Sequence, residues 1–413
     1  MRHAPAVFSR ARREGDIIDV SEQIVRLTRG AAEVIEPLEL RQKLLRGRPL
    51  TVKLGVDTTA PVITLGHAVA IRRLAAFQEL GHRAIFLIGD ETARVGDPTG
   101  RNEARPQLND EQIEESAAGF LAQIGAIVDL EKIEVRRNSE WLRQLGFSGA
   151  LQLASRYTVA RMLEREDFNK RFRENRPIHI HELLYPLMQG YDSVALRADV
   201  ELGATEQKFN LLVGRQLQRE DGQEPQVLIM HPILTGLDGE QKMSKSVGNY
   251  VALSDSPDEM FGKLMSIPDR TIPEYVQLAA DRPEDEVAAV RNALTQGQGN
   301  PRDLKAKMAE QTVALYYGAA AAQSARDRFD AMFREHAAPD DAPEISIGDG
   351  DPRIVPLLVR AGLAQSTSAA RRLVADGAVR LGEEKLTDPG RDLSDLAGST
   401  LRVGKHRFIK LVR

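Results

Sequence analysis

Two short segments carry residue types suited to binding a nucleotide. The string KMSKS at 242–246 follows a glycine-rich loop and places Lys242 and Lys245 beside two hydroxyls. Far upstream, Thr64-Leu65-Gly66-His67 opens a predicted helix directly after a predicted strand. A helix start offers free N–H groups and a positive dipole end to phosphates, and lysines on a mobile loop neutralise the charge of a departing pyrophosphate. The two segments together predict a nucleoside triphosphate site.

The commonest nucleotide-binding loops are missing from the sequence. No G-x-G-x-x-G follows a predicted strand, and the glycine pair at 96 and 100 is not followed by the Gly-Lys-Ser/Thr of a P-loop. The sequence therefore argues against a nicotinamide enzyme and against a P-loop NTPase.

A polar stripe predicts a second pocket. Tyr185, Gln189 and Asp192 are spaced i, i+4 and i+7 in an otherwise apolar segment, so they share one face of a helix. Burying such groups without partners costs several kcal/mol per group, on the order of 2–7. The stripe therefore lines a polar pocket or, as the alternative, faces solvent.

Composition limits the class of protein. The 413 residues are 42% hydrophobic and 28% charged with a mean hydropathy of −0.33, which is typical of folded proteins of more than one domain. No apolar run is long enough to cross a bilayer, so we predict no membrane association. The absence of cysteine excludes thiol chemistry and disulfides and favours a cytoplasmic location.

Charge is distributed unevenly. Residues 351–413 hold twelve Lys/Arg and seven Asp/Glu, a net charge of +5, whereas the whole chain carries −4 and residues 1–350 therefore −9. A basic module on an acidic body is the pattern expected when one part meets nucleic acid. A solvated basic surface is the alternative.

The order of predicted elements indicates an α/β fold. Strands at 50–56 and 82–89 alternate with helices at 67–80 and from 109, which predicts a Rossmann-like, doubly wound parallel sheet with its ligands just after Val56 and Ile88. Helices at 259–265, 283–295 and 301–333 predict a helical subdomain, and two helices followed by strands predict a small α+β unit. The predicted domains are 1–255 (catalytic), 256–335 (helical), 336–350 (acidic linker) and 351–413 (RNA-binding).

The two signature segments resemble the HIGH-type and KMSKS motifs of class I aminoacyl-tRNA synthetases. More closely, the chain resembles the bacterial tyrosyl-tRNA synthetases with GxDxTAP before the first motif, through GDPTGR at 96–101, TVARML at 158–163 and YPLMQGYD at 185–192. Residues 358–386 resemble an S4-type RNA-binding domain. The resemblance covers residues 20–413.

The resemblance implies a two-step reaction. L-Tyrosine and ATP form tyrosyl-adenylate and diphosphate, and the tyrosyl group then passes to the 3′ end of tRNA(Tyr). Mg²⁺ is expected to be bound by the triphosphate, and no metal bound by the protein is expected, the pair His179 and His181 included. A homodimer is also implied.

The resemblance assigns roles to individual residues. Asp192 is expected to accept the phenolic O–H, and Tyr185, Gln189 and Asp97 to hold the α-ammonium. The implied catalytic residues are Thr59, Thr64, His67, Lys242 and Lys245; the tyrosine site is Asp57, Asp97, Tyr185, Gln189, Asp192 and Gln207; the ATP site is Gly55, Gly66, His67, Gly203, Glu206 and Lys245; and the RNA-binding residues are Arg371, Arg372, Arg380, Lys405, Arg407 and Lys410.

The sequence departs from the family pattern at several positions. Thr64 stands where the first His of the HIGH-type motif is usual, Thr58 replaces a Pro, and Ala204 and Glu206 alter a Gly-Gly-x-Asp-Gln loop. The Tyr that reads the phenol in many relatives is absent, its place falling at Lys53 or Leu54. These changes keep two alternatives open: a synthetase paralogue with another amino acid or acceptor, and a catalytically weak RNA-binding protein.

Overall fold

The structure is a computed structural model that describes residues 19–57, 62–99, 109–334, 342–381, 384–404 and 407–413. The predicted residues Thr58, Thr59 and Lys405, together with the motif residues Gly100 and Arg101, lie outside the described residues. The chain divides into two compact units, residues 1–322 and 323–413.

The first unit is built on a six-stranded sheet with the order β1-β6-β5-β2-β3-β4. Five strands are parallel and β1 runs antiparallel to β6. The strands are β1 (Glu33–Ile35), β2 (Thr51–Val56), β3 (Arg83–Ile88), β4 (Glu134–Arg137), β5 (Val200–Ala204) and β6 (Val227–His231). The predicted parallel α/β fold is confirmed.

Helices cover the sheet and account for its apolar strands. Five of the six residues of β3 and all five of β6 are buried, as expected for strands covered on both faces. The helices before and between the strands are α1 (Val20–Leu27), α2 (Pro37–Leu45), α3 (Leu65–Glu79), α4 (Asp90–Val95), α5 (Asp110–Ile124), α6 (Ser139–Ala154), α7 (Val159–Met162), α8 (Glu166–Arg173), α9 (Ile180–Leu196) and α10 (Lys208–Glu220), with a 3₁₀ turn at Thr205–Gln207.

The order of the strands reverses next to β2. From β2 the chain continues to β3 and β4 on one side, and β5 later pairs with β2 on the other side. The loops after β2 and β5 therefore leave the sheet side by side at its carboxyl edge. Ligands bind at this point in open α/β sheets.

Only helices follow the sheet among the described residues up to 334. They are α11 (Pro257–Met265), α12 (Ile272–Leu278), α13 (Glu284–Thr295), α14 (Pro301–Tyr317) and α15 (Ala319–Arg334), with a 3₁₀ turn at Asp269–Thr271, and the division between the units falls in α15. The prediction of one helix over 301–333 is wrong. Gly318 adopts φ 83° and ψ 163°, which ends α14 although the helical apolar period continues across it.

The second unit has its own core. Its five-stranded sheet has the order β7-β11-β10-β8-β9, formed by β7 (Glu344–Ser346), β8 (Val379–Leu381), β9 (Glu384–Lys385), β10 (Thr400–Val403) and β11 (Arg407–Val412). Helices α16 (Ile354–Arg360) and α17 (Thr367–Ala375) contribute Leu357, Leu358 and Val374 to a buried cluster with Leu401 and Leu411. No helix in the described part of the chain is long and apolar enough to span a membrane.

Strand β7 lies inside the stretch predicted as linker. Ile345 pairs with Leu411 in parallel register, so three residues of the acidic segment belong to the second sheet. The partner strand is distant in sequence, and three residues between prolines show no period of their own, which is why the strand escaped prediction.

Candidate active site

A cavity of about 500 Å³ opens at the carboxyl edge of the first sheet. Its walls come from the ends of β2, β5 and β6, the start of α3, one face of α9 and the KMSKS loop at 242–246. It brings together fourteen of the predicted residues: Gly55, Asp57, Thr64, Gly66, His67, Asp97, Tyr185, Gln189, Asp192, Gly203, Glu206, Gln207, Lys242 and Lys245. Both predicted sites thus belong to one cavity.

The polar face of α9 points into the protein. Tyr185 and Asp192 are 5% and 3% exposed, and the hydroxyl of Tyr185 donates to Asp57 Oδ2 at 2.8 Å. Gln189 Oε1 accepts from Asn210 Nδ2 at 2.9 Å. The polar stripe therefore lines a pocket, and the solvent-facing alternative is wrong.

Asp192 lies at the buried end of the cavity. Its carboxylate accepts from Trp141 Nε1 at 2.8 Å and from Asn138 Nδ2 at 3.4 Å. Burial raises the pKa of Asp192 to about 7, opposed by the charge of Lys53 and by these two hydrogen bonds. The group is suited to accepting a hydrogen bond from a phenol, provided that it stays ionised.

A chain of side-chain amides connects α9 with the loop after α4. Asn210 Nδ2 also donates to Gln207 Oε1 at 3.0 Å, and Gln207 Nε2 donates to Asp97 Oδ2 at 2.7 Å. Two carboxylates, Asp57 and Asp97, thus face the cavity, and Asp97 also lies 3.5 Å from the guanidinium of Arg165. This arrangement can hold an ammonium group.

The start of α3 presents a neutral imidazole. The N–H of Thr64 donates to His67 Nδ1 at 3.2 Å, and the Thr64 hydroxyl lies 2.8 Å from the same nitrogen. Burial, and then the charge of Lys245, lowers the pKa of His67 to about 4. Because Nδ1 accepts from the backbone, the ring proton is on Nε2. The ring of Phe120 packs edge-on at 5.8 Å.

The KMSKS loop is held at both of its ends. Lys242 Nζ lies 3.1 Å from Glu206 Oε2, and Lys245 Nζ lies 5.5 Å from the centre of the Phe120 ring. Burial lowers the pKa of Lys245. Asn249 Oδ1 accepts from the N–H of Ser244 at 2.8 Å. The loop therefore carries its cations to the His67 side of the cavity.

Asn249 also ties the KMSKS loop to the turn before it. Its Nδ2 donates to Asp238 Oδ2 at 2.6 Å and to the carbonyl of Lys242 at 3.2 Å. A Cβ added at Gly236 would lie 2.1 Å from that nitrogen, so the glycine leaves room for the contact.

Sequence reasoning missed several residues of the site. Asn138, Trp141, Asn210, Phe120 and Asn249 were not singled out. Asn138 follows β4 directly, and the rule that ligands bind after parallel strands could have found it. Trp141, Asn210 and Asn249 each lie three residues after another residue of the site, whereas Phe120 is remote in sequence. Only the tertiary structure shows that these side chains reach the site.

The predicted RNA-binding residues are spread over the second unit. Arg371 and Arg372 are exposed on α17, Arg380 lies in β8, and Arg407 begins β11 and donates to the carbonyl of Leu363 at 2.8 Å. Lys410 of β11 lies 3.5 Å from Glu344.

Metal ligands do not cluster in the described part of the chain, where no group of three or more His, Cys, Asp or Glu side chains could hold an ion. The rings of His179 and His181 are 5.7 Å apart at the start of α9.

Comparison with known proteins gives the family. Residues 45–334 match the family model described as tRNA synthetases class I (W and Y), and residues 335–407 match a tyrosine–tRNA ligase SYY-like C-terminal domain. The chain therefore belongs to the class I aminoacyl-tRNA synthetases for tryptophan and tyrosine.

Similar proteins distinguish between the tyrosine and tryptophan branches of that family. The tyrosine–tRNA ligase of Moorella thermoacetica is 52% identical over 95% of this chain and 96% of its own length, and that of Oleidesulfovibrio alaskensis is 51% identical over 96% and 100%. The Archaeoglobus fulgidus tyrosyl-tRNA synthetase complexed with L-tyrosine superposes with a TM-score of 0.61 at 26% identity, covering 75% of this chain and 100% of that one. Within the family, the chain groups with the bacterial tyrosyl-tRNA synthetases.

Proposed function

We propose that the cavity performs both steps of tyrosine transfer and that the fourteen residues gathered there carry them. The overall activity is that of a tyrosine–tRNA ligase, as in the relatives that align over nearly the whole chain. One observation supports this assignment: a single cavity holds the buried carboxylate of Asp192 and a cluster of donors. The donors are His67, Lys242 and Lys245.

The α9 side of the cavity binds the amino acid. Asp192 accepts the phenolic O–H, while Tyr185, Gln189, Asp97 and Gln207 surround the α-ammonium. Phenylalanine would deprive the buried Asp192 carboxylate of the phenolic donor, which disfavours binding. Tyrosine is thus selected over phenylalanine because its phenolic O–H can donate to the buried carboxylate of Asp192.

The α3 side binds ATP as its Mg²⁺ complex. Nε2–H of His67 and the ammonium groups of Lys242 and Lys245 face the triphosphate, and the tyrosine carboxylate attacks the α-phosphate. A carboxylate is already a nucleophile, so positioning and charge neutralisation account for the first step. Thr64 acts through His67, since the residue is 2% exposed and its hydroxyl lies against the ring nitrogen.

Glycines leave space for the nucleotide. At Gly66 the nearest atom to an added Cβ is Thr64 Oγ1 at 3.5 Å, which is ordinary contact, so protein packing alone does not require glycine there. We assign that space to the adenine ring, with Gly55 and Gly203 on the neighbouring strand ends.

The second step brings tRNA(Tyr) to the adenylate. The ribose hydroxyl at the 3′ end takes the tyrosyl group, and the basic residues of the second unit bind phosphates of the same tRNA. Charging of tRNA serves translation, and we therefore place the protein in the cytoplasm.

We also propose a homodimer. Helices α6 to α9 of the first unit expose five large apolar side chains, among them Phe147 and Ile180, each 81% exposed, and Phe172, 64% exposed. We assign these five side chains to one exposed apolar patch, the kind of surface that marks a protein interface. Ile180→Asp should convert a dimer into a monomer in sedimentation experiments, and a monomeric parent protein would refute the proposal.

Tyrosine-dependent ATP–pyrophosphate exchange tests the site, with phenylalanine as the control amino acid. Exchange with tyrosine alone is expected. Exchange with a different amino acid would favour a paralogue, and no exchange together with tight RNA binding would favour an RNA-binding protein.

A further inference from the structure

A buried ion pair lies beneath the tyrosine end of the cavity. Lys53 of β2 and Glu201 of β5 are register partners on adjacent parallel strands, and their side chains meet at 3.1 Å. Lys53 is 0% and Glu201 1% exposed. A charged pair buried in the sheet is costly, since each ion loses its hydration. Such a pair calls for a function at this place.

The ammonium of Lys53 is held by groups of the protein. It donates to Ser193 Oγ at 2.8 Å and to the carbonyl of Gln189 at 3.1 Å, and it forms an ion pair with Glu201 Oε1 at 3.1 Å. An ammonium group has three donors. With these contacts made, we assign Lys53 no direct contact with the phenol, although the Tyr of many relatives falls at Lys53 or Leu54.

The contacts of Lys53 surround Asp192 along the helix. Gln189 precedes Asp192 by less than one turn of α9, and Ser193 follows it directly. Ser193 is 0% exposed and also donates to Glu201 Oε2 at 3.0 Å, so β2, β5 and α9 are joined at one point. A change at Lys53 would therefore act on the α9 segment that faces tyrosine.

On the basis of the proposed function, we infer that Lys53 is a positioning residue for tyrosine recognition: it anchors the segment of α9 that carries Gln189 and Asp192 and places a fixed positive charge behind the Asp192 carboxylate. It acts through Asp192, and the phenol itself is bound by Asp192.

The surrounding charges support this role. The charged groups acting on Asp192 are Lys53 from β2, which lowers its pKa, and Glu201 from β5, which raises it; Trp141 and Asn138 are neutral donors. Burial alone drives Asp192 toward its protonated form, which cannot accept the phenolic proton in the same way. Removing the Lys53 charge should raise the pKa of Asp192 further.

The test compares the KM values for tyrosine and ATP in the full-length protein by pyrophosphate exchange from pH 6 to 9. Lys53→Met leaves Glu201 unpaired and can impair folding. The double variant Lys53→Met/Glu201→Gln removes both charges and serves as the main reagent. Glu201→Gln keeps Lys53 and removes only the opposing charge.

Lys43→Met is the matched control. Lys43 is also 0% exposed and lies 3.2 Å from a carboxylate, that of Asp199, but it does not line the cavity. Its loss reports what removing a buried lysine from an ion pair does by itself, with Asp199 still paired with Arg48 at 2.7 Å.

The double variant should raise the KM for tyrosine at pH 7 about 10- to 100-fold, the value of a hydrogen bond to a charged group, and leave the KM for ATP unchanged. Its tyrosine KM should fall as the pH rises and Asp192 ionises, whereas Glu201→Gln should shift the parental profile to lower pH. Lys43→Met should keep the parental values.

The inference would be overturned if the double variant kept the tyrosine KM and the pH profile of the parent protein. It would also be overturned if the KM for ATP rose as much as the KM for tyrosine. Absence of tyrosine-dependent exchange in the parent protein is a different result and would refute the proposed function.

Discussion

The backbone N–H of Thr64 donates to His67 Nδ1 at 3.2 Å, and the Thr64 hydroxyl lies 2.8 Å from the same atom. Thr64, which departs from the HIGH-type motif, thus orients His67, the histidine of that motif that is retained. The bond fixes the tautomer of His67, and the ring offers Nε2–H at the cavity. A neutral donor, rather than a second cation, then faces the phosphates beside Lys245.

Substitution of His67 should therefore slow the chemical step. His67→Ala is expected to lower the rate of pyrophosphate exchange by about 10²-fold, the usual effect of losing one donor to developing charge, with tyrosine affinity unchanged. Because the pKa of His67 is lowered to about 4, the parental rate should show no titration of this group between pH 6 and 8. Thr64→Val should have a smaller effect than His67→Ala, with Thr64→Ser as its control. A larger effect of Thr64→Val would mean that Thr64 contacts the phosphates itself.

Lys245 should act on ATP and not on tyrosine. Lys245→Ala is expected to depress pyrophosphate exchange by about 10²- to 10³-fold because it removes a charge from the departing pyrophosphate. Equilibrium dialysis should find unchanged tyrosine binding. Lys263 is a matched control, since it also lies over an aromatic ring, that of Tyr250 at 5.7 Å, but outside the cavity. Equal exchange in Lys245→Ala and the parent would remove Lys245 from the mechanism.

Asn249 should set the conformation of the KMSKS loop. Asn249→Ala breaks the hydrogen bonds to Ser244 and Asp238 and is expected to raise the KM for ATP about tenfold without changing that for tyrosine. Asp238→Ala should also raise the KM for ATP. In the double variant the effect should be smaller than the sum of the two single effects, expressed as free energies, because both substitutions remove the same contact. Additive effects would show that the contact does not order the loop.

The basic residues of α17 should serve the second step alone. In the full-length protein, Arg371→Glu/Arg372→Glu is expected to reduce kcat/KM for tRNA charging about tenfold or more and to weaken its dependence on salt. Pyrophosphate exchange in the same protein is the control and should match the parent. Unchanged charging at physiological salt would contradict the RNA-binding role.

His231 should make the fold sensitive to acid. This side chain is 2% exposed, and burial, followed by the charge of Arg73, lowers its pKa to about 3. Between its unfolded value near 6.5 and about 3, the unfolded chain binds the extra proton, so the free energy of unfolding falls as the pH falls.

Urea unfolding of His231→Leu measures this effect. Between pH 6 and 4, the free energy of unfolding should depend on pH less steeply in the variant than in the parent protein. The difference in slope should be about 1.4 kcal/mol per pH unit. At pH 8 the two proteins should differ only through packing. Identical slopes would show that His231 is protonated in the folded state.

The site could be predicted where the chemistry lies in short strings. KMSKS, the Gly-His helix start and the spacing of Tyr185, Gln189 and Asp192 are local patterns. For the last of these, helix geometry directs the three side chains to one face. The parallel sheet was also predictable, because alternation of apolar strands with helices leaves few other arrangements. The break at Gly318 was not, because its apolar neighbours continue the helical period.

The sequence by itself determined which residue types are available: a carboxylate for a phenol, lysines for phosphates, and a lysine at position 53 in an apolar strand. Only the tertiary structure decided what Lys53 does, because its partners Glu201 and Ser193 come from elements far along the chain. The same holds for Trp141 and Asn138 at Asp192. Pairing of β2 with β5 is a non-local contact, and no local period records which buried charges will meet across it.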